Sequence, residues 1–314
     1  MKNDTVYIFV EPPLPINNRQ GRTIDFQHPP LVSFVIPVFN SERTIEKCLE
    51  SIRNQDYPYK EIIIIDNGSS DSTLTIAKKF TDNIYYDGGL LGSVRQAGIN
   101  KMKGEIVGIF DSDVYLPHNT WLLNALHFFN YSEDIATIWP KTIAPKGGPL
   151  FQKMYFNLGN LILENRIEKN WGVVGGSGLI LKRAIDDVGG YSQKVHWGED
   201  FELALKLKNK GYNLVYVKDA VYHDTDMGLS LSKFVKKQIR VASTFSDNSD
   251  LKMNMSKKEL LYELFIIGTK GLVNGIFKER DFSWLLFPLL IFLRIQIYLY
   301  VLLCKVLKVN PQEK

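Results

Sequence analysis

The sequence predicts an α/β fold with a mostly parallel sheet flanked by helices, followed by amphipathic and apolar helices at the C-terminus. Three observations predict it. Short apolar runs at Leu31 to Ile36, Glu61 to Ile65 and Ile106 to Phe110 are each followed by a stretch of helical spacing, the pitch of right-handed βαβ units. The runs are apolar on both faces, as strands of a covered parallel sheet are. Each gives way to polar residues, and open α/β sheets bind ligands at the carboxyl ends of their strands.

At 314 residues the chain accommodates one large α/β domain plus an appendage. With 45% hydrophobic and 23% charged residues it has a globular composition. A net charge of +4, with Lys and Arg scattered until the last third, excludes a nucleic-acid partner from the expectation. Cys48 and Cys304 give neither a disulfide framework nor a zinc spacing, so a reducing, cytosolic setting is expected. The N-terminus lacks the basic start, apolar stretch and cleavage site of a secretory signal.

Residues 1–30 contain Val6 to Val10 and then five prolines, which reads as an N-terminal extension with at most one added strand. From Leu31 the order is strand, helix from Ser41 with Ile45, Cys48, Leu49 and Ile52 core-facing, strand Glu61 to Ile65, and helix Ser72 to Phe80. A short strand Asn83 to Tyr86, helix Leu91 to Lys101 and strand Ile106 to Phe110 follow. Next come a helix from Asn119 to Phe129, a strand at Ile135 to Trp139 and a loop with two prolines and two glycines, Lys141 to Pro149. A helix from Phe151 to Glu168, the glycine-rich Trp171 to Gly178, a helix from Asp200 to Lys210, a strand from Asn213 to Val217 and then His223 complete this part.

The last third changes character. Glu259 to Lys278 has an amphipathic pattern, and Phe282 to Leu303 is almost wholly apolar, close to the roughly 20 residues that cross a bilayer. Arg294 near its middle costs about 2.5 to 3.5 kcal/mol for insertion and shares a helical face with Lys305 and Lys308. That stripe fits a helix lying in the membrane interface slightly better than a span; a dimer interface or core helix is the alternative.

Chemistry concentrates at Asp111-Ser112-Asp113, two carboxylates at the end of a buried strand. A hard divalent cation that takes carboxylates and phosphate oxygens is one reason to arrange them so, and a polar turn is the other. Together with Val35-Ile36-Pro37-Val38-Phe39-Asn40, Ile65-Asp66-Asn67-Gly68-Ser69-Ser70-Asp71 and Trp197-Gly198-Glu199-Asp200, in that order and spacing, this segment resembles the inverting nucleotide-sugar glycosyltransferase family 2 with the GT-A fold. The resemblance covers Leu31 to Phe245.

The resemblance implies nucleotide contacts from Pro37, Val38, Asn40, Glu42, Asp66, Arg95, Asp111 and Arg240, with Asp66 taking the imide hydrogen of a uracil. It implies a Mg²⁺ or Mn²⁺ site at Asp113, Asp111 and His223, Asp113 being the more direct ligand. It implies that Asp200, beside Glu199, is the general base that takes the proton of an acceptor hydroxyl. Asn67 stands where an acidic residue is usual; Arg240, within Lys237-Gln238-Ile239-Arg240, resembles a degraded form of the family's Gln-x-x-Arg-Trp element, with Val241 in place of the tryptophan. Processive polysaccharide synthesis is therefore not expected.

The expected domains are an extension over 1–30, a GT-A domain over 31–245 and a C-terminal membrane-associating region over 246–314. The expected activity is metal-dependent, inverting transfer of a hexose-type sugar from a nucleoside-diphosphate sugar, with UDP implied, to a hydroxyl of a glycan or lipid-linked glycan. The expected location is the cytoplasmic side of the cell membrane, held peripherally or by a single helix. A polyprenyl-phosphate sugar synthase and a non-catalytic nucleotide-binding relative are the alternatives. The acid pair Glu199-Asp200 favours a hydroxyl over an already anionic phosphate acceptor.

Overall fold

Seven consecutive residues without an exposed side chain, Val32–Val38, form the strand around which the sheet is built. The structure, a computed structural model, describes residues 9–10, 24–168, 176–193, 198–225, 231–247, 262–307 and 309. Strand β1 is Phe9–Val10, and Val32–Val38 is β2. Helix α1 follows over Ile45–Arg53 and buries Ile45, Cys48, Leu49 and Ile52, the spacing seen in the sequence. Then come β3 at Lys60–Asp66, α2 at Thr73–Ala77, β4 at Ile84–Tyr86, α3 at Leu91–Lys101 and β5 at Ile106–Ile109.

These elements make the parallel half of the sheet, with β2 between β3 and β5 and with β4 beyond β3. Helix α3 lies close against it because of Gly98, where a Cβ would come within 2.2 Å of Val35 Cγ1.

The second half runs differently. It contains β6 at Val114–Tyr115, α4 at Trp121–His127, β7 at Ile135–Ile143, α5 at Leu150–Glu168, β8 at Gly178–Leu181, α6 at Lys182–Asp187, α7 at Glu199–Lys210 and β9 at Asn213–His223. Strand β8 is antiparallel to both β5 and β7, and β6 is antiparallel to β9. The order across the nine-stranded sheet is β1-β9-β7-β8-β5-β2-β3-β4, with β6 attached to β9. A mixed α/β sheet with a parallel half is the fold class expected; the antiparallel insertion of β8 is not. In the sequence Gly178 closes the glycine-rich segment Trp171 to Gly178. A Cβ on Gly178 would lie 2.5 Å from Trp139 Cε3 and 2.6 Å from the Ile138 carbonyl, so the glycine marks a close strand approach instead. The added N-terminal strand exists as β1, parallel to β9.

The chain divides into two compact units. The first is Met1–Thr142 with Val173–His223, and holds the sheet; the second is Ile143–Gly172 with Asp224–Lys314. In the second, α8 spans Leu231–Asp247, α9 Gly268–Phe277 and α10 Phe287–Val306. A π-helical turn, Tyr262–Ile267, precedes α9, and a 3-10 turn, Phe282–Leu286, precedes α10. The beginning of the expected Glu259 to Lys278 helix, before Tyr262, lies outside the described residues. Met154, Leu158 and Ile162 of α5, Phe234 of α8, and Trp284, Phe287, Leu290 and Ile291 form this unit's core. Gly271 and Gly275 let α9 receive the Trp284 indole, which a Cβ at either position would meet within 2.4 Å.

Candidate active site

The carboxyl ends of β2, β3 and β5 present the residues singled out in the sequence. After β2, Asn40 adopts a positive φ of 47°, donates its N–H to Ser69 Oγ at 3.0 Å and accepts the Ser70 N–H on Oδ1 at 2.9 Å. Glu42 accepts the Ser72 N–H at 3.0 Å while its own N–H donates to Asp71 Oδ2 at 3.2 Å. These bonds knit the loop after β2 to the loop after β3, and Glu42 serves that junction. Pro37 and Val38 are the last two residues of β2, in register with Ile65 and Asp66.

Asp66 is 6% exposed and accepts the backbone N–H groups of Gly68 and Ser69 at 3.1 Å each. The turn depends on Gly68, whose φ is 90°. Its carboxylate is thereby held rigidly at the strand end, with lone pairs left for a further donor.

Beyond β5 the chain passes Phe110 and reaches the two acids. Strand β6 starts at once, pairing Val114 with His223 and Tyr115 with Tyr222, whose rings stack at 5.0 Å. This two-residue ribbon carries His223 to the site: its Nε2 lies 3.0 Å from Asp113 Oδ1. Oxygen or nitrogen atoms of Asp111, Asp113 and His223 all lie within 4.8 Å of one another. Two carboxylates and an imidazole at that spacing fit a divalent cation such as Mg²⁺ or Mn²⁺. Ser112, between the acids, shares a hydrogen bond of 2.8 Å with Ser41, and the Asp111 N–H donates to Ser177 Oγ at 3.3 Å.

Arg95 is the residue that joins this group to the acid pair on α7. It sits on α3 with 2% exposure and donates to Asp111 Oδ1 at 2.7 Å and to Glu199 Oε1 at 2.6 Å. The resemblance implies a nucleotide contact for Arg95; the side chain is a buried bridge between two carboxylates. Burial opposes its charge, but Glu199 and Asp111 raise its pKa and keep it ionised. The Tyr191 ring lies 5.8 Å from the guanidinium carbon, and burial pushes its phenol well above the ordinary range.

Helix α7 opens on Gly198, held at φ 83°, with Glu199, Asp200 and Glu202 in its first turn, where the helix dipole favours carboxylates. The adjacent acids face different surroundings. Glu199 is 2% exposed, and burial pushes its carboxyl up to about 7 despite the pull of Arg95. Asp200 is partly exposed and accepts the Phe201 N–H at 2.8 Å. The start of α3 abuts this segment: a Cβ on Gly92 would meet the Ser192 carbonyl at 2.1 Å and Glu199 Cβ at 3.3 Å.

Trp197 lies outside the described residues. Arg240 belongs to α8 in the second unit, and its side chain lies outside what is described. Sequence reasoning missed Ser41, Ser177 and Tyr191, none of which carries a motif. It also missed the β6 ribbon, for which Val114-Tyr115 beside the Val221-Tyr222 pair is the only signal.

The family model for glycosyl transferase family 2 matches residues 33–189. Glycosyltransferase AglE of Haloferax volcanii is 28% identical over 222 residues, covering 68% of this chain and 72% of that protein. Matches to other curated glycosyltransferases span between 16% and 33% of those proteins. Among solved structures, the mannosyltransferase PcManGT from Pyrobaculum calidifontis, in complex with GDP-Man and Mn²⁺, has a similar fold. It superposes with a TM-score of 0.58 at 15% identity, over 90% of this chain and 91% of that one. Glucosyl-3-phosphoglycerate synthase from Mycobacterium tuberculosis, with Mn²⁺, UDP and phosphoglyceric acid, gives 0.51 at 18% identity over 69% of this chain and 78% of that one.

Proposed function

The chain belongs to glycosyl transferase family 2, and from that premise we propose a metal-dependent, inverting hexosyltransferase that uses a nucleoside-diphosphate sugar, with UDP as the nucleotide. The acceptor is a hydroxyl of a glycan or lipid-linked glycan, reached from the cytoplasmic surface of the membrane. One observation carries this reading: Arg95 ties the Asp111, Asp113 and His223 group to the Glu199-Asp200 pair within one unit.

Asp113, His223 and the free side of Asp111 would hold the cation. When bound, it neutralises the negative charge that develops on the departing nucleoside diphosphate. The chain's own residues do the rest. Asp66 orients the base by accepting its imide hydrogen, and the loop junction through Asn40 and Glu42 keeps that strand end rigid. Asp200, the more accessible acid, takes the acceptor hydroxyl's proton as the oxygen attacks the anomeric carbon; the bond to the nucleoside diphosphate breaks, inverting the centre. Glu199 is a positioning residue, pinned by Arg95 so that Asp200 projects from the first turn of α7 in one orientation. The comparison with GDP-Man- and UDP-bound structures supports the fold only, and the choice of UDP rests on Asp66.

The direct test is a transfer assay with UDP-glucose, UDP-galactose and UDP-N-acetylhexosamines, in Mn²⁺, with lipid-linked and free glycan acceptors. Release of UDP dependent on both metal and a hydroxyl acceptor, and abolished by Asp200→Asn, is expected. Transfer to bare polyprenyl phosphate that survives Asp200→Asn would establish the alternative, a polyprenyl-phosphate sugar synthase.

A further inference from the structure

Helix α10 is divided along its length into two faces of different fate. Phe287, Leu290, Ile291, Ile297, Val301 and Cys304 are buried. On the opposite arc of a 3.6-residue wheel, Leu289, Phe292, Leu299, Leu302, Leu303 and Val306 are all exposed, between 45% and 79%. Gln296 is the polar exception on that arc. Arg294, which argued against insertion, falls on the protein-facing arc, so no charge interrupts the outer one. The exposed arc runs through a helix of 20 residues, about 30 Å at its normal rise. Phe277, Phe282 and Leu285 extend the exposed apolar surface just before it. A continuous apolar strip of that extent marks an interaction surface.

The buried arc decides how such a strip meets a bilayer. Leu290 and Ile291 pack with Met154 and Leu158 of α5 and Phe234 of α8; further along, Ile297 and Val301 pack against Val235 and Ile239 of α8. From Phe287 to Val301 the helix is therefore attached to α5 and α8, which carry the exposed or half-exposed cations Lys153, Lys233 and Lys236. A span would draw those cations into hydrocarbon, where charges are costly. Lying flat, α10 sinks its outer arc among the acyl chains and leaves α5 and α8 in water. Charge favours lipid over a second copy. Among the residues from 262 onward whose exposure is described, Lys270, Lys278, Arg280 and Lys305 are exposed, against Glu279 as the exposed acid. A net basic surface complements anionic headgroups and repels its own copy.

We propose that α10 is an in-plane docking helix that seats the second unit on an anionic bilayer without crossing it. The proposal deepens the membrane association suggested above and rests on it, but not on the transfer chemistry.

The test uses the full chain with sealed vesicles of phosphatidylcholine, with or without phosphatidylglycerol, and flotation as the readout. Co-flotation that rises with the anionic lipid is expected, and Phe292→Asp with Leu299→Asp should reduce the floated fraction at least tenfold. Lys278→Cys, before the 3-10 turn that leads into α10, and Lys305→Cys, in its last turn, place reactive thiols that flank the helix; the native Cys48 and Cys304 are buried and serve as background. A membrane-impermeant maleimide should label both ends from outside. Labelling of one end only would establish a span and overturn the proposal, as would a stable detergent-free dimer that ignores vesicles. Release of UDP from UDP-sugars, measured on the same preparations, separates the two accounts: activity without flotation sinks the docking alone, and flotation without activity sinks the transferase alone.

Discussion

The guanidinium of Arg95 donates to Glu199 across 2.6 Å with both side chains almost wholly buried. Its other terminal nitrogen is bonded to Asp111, so a single cation fixes the relation between the metal-binding loop and the start of α7. Arg95→Met leaves the buried Glu199 carboxyl without its partner, beside a partly exposed Asp111, and about 3–5 kcal/mol of stability should be lost. Arg95→Lys keeps the charge but cannot bridge both acids with a planar fork. The lysine variant should fold, bind UDP with Mn²⁺ within a few-fold of wild type, and lose at least tenfold in kcat. Equal kcat in the lysine variant would remove the positioning role.

Glu199 gives the fold a pH dependence whose sign follows from its environment. Its folded-state pKa of about 7 lies above the ordinary 4.5, so the native protein binds the extra proton between these values. The group's contribution to stability is complete below pH 4.5 and is lost as pH rises through 7. Chemical denaturation of the metal-free protein should therefore show the wild type losing on the order of 1–3 kcal/mol relative to Glu199→Gln between pH 5 and 8. Parallel stability curves for the two proteins would contradict this.

Gly98 tests the packing beneath the site. An added methyl would enter the space of Val35 Cγ1 at 2.2 Å and of Ile65 Cγ1 at 3.1 Å, both on central strands that cannot easily yield. Gly98→Ala should lower stability by about 1–3 kcal/mol, read from urea midpoints, despite the better helix propensity of alanine. A gain in stability would show that α3 moves away from the sheet freely.

Asp200→Asn separates binding from chemistry. Its partly exposed side chain can be replaced without touching the Arg95 bridge, so the melting temperature and UDP affinity should stay near wild type. Acceptor-dependent kcat should fall by about two to four orders of magnitude. A variant that retains transfer to sugar hydroxyls would move the base elsewhere.

The parallel half of the fold is legible because β2, β3 and β5 are dominated by buried apolar residues and α1 keeps strict core spacing. The other half is not, for identifiable reasons. Strand β8 begins at a glycine needed for contact with Trp139, which in sequence is only the last of a glycine-rich segment. Strand β6 has two residues and exists only because β9 pairs with it. Asp66, Asp111, Asp113, Glu199, Asp200 and His223 are legible as a motif set, since charged residues at strand ends and helix starts have few structural uses together. The unequal burial of Glu199 and Asp200 is invisible in two adjacent acids, because it comes from α3 and Tyr191. The burial of Arg95 is invisible for the same reason; its partner Glu199 is far away in the chain.

The central claim is that Asp113 anchors a cation which in turn holds a nucleoside diphosphate. Titration calorimetry of UDP into wild type and Asp113→Ala, each with Mn²⁺ and with chelator, tests it most directly. The wild type should bind UDP at least tenfold more tightly with Mn²⁺ than without, and the variant should show one weak affinity in both conditions. Equal affinity of wild type and variant, unaffected by Mn²⁺, would contradict the account.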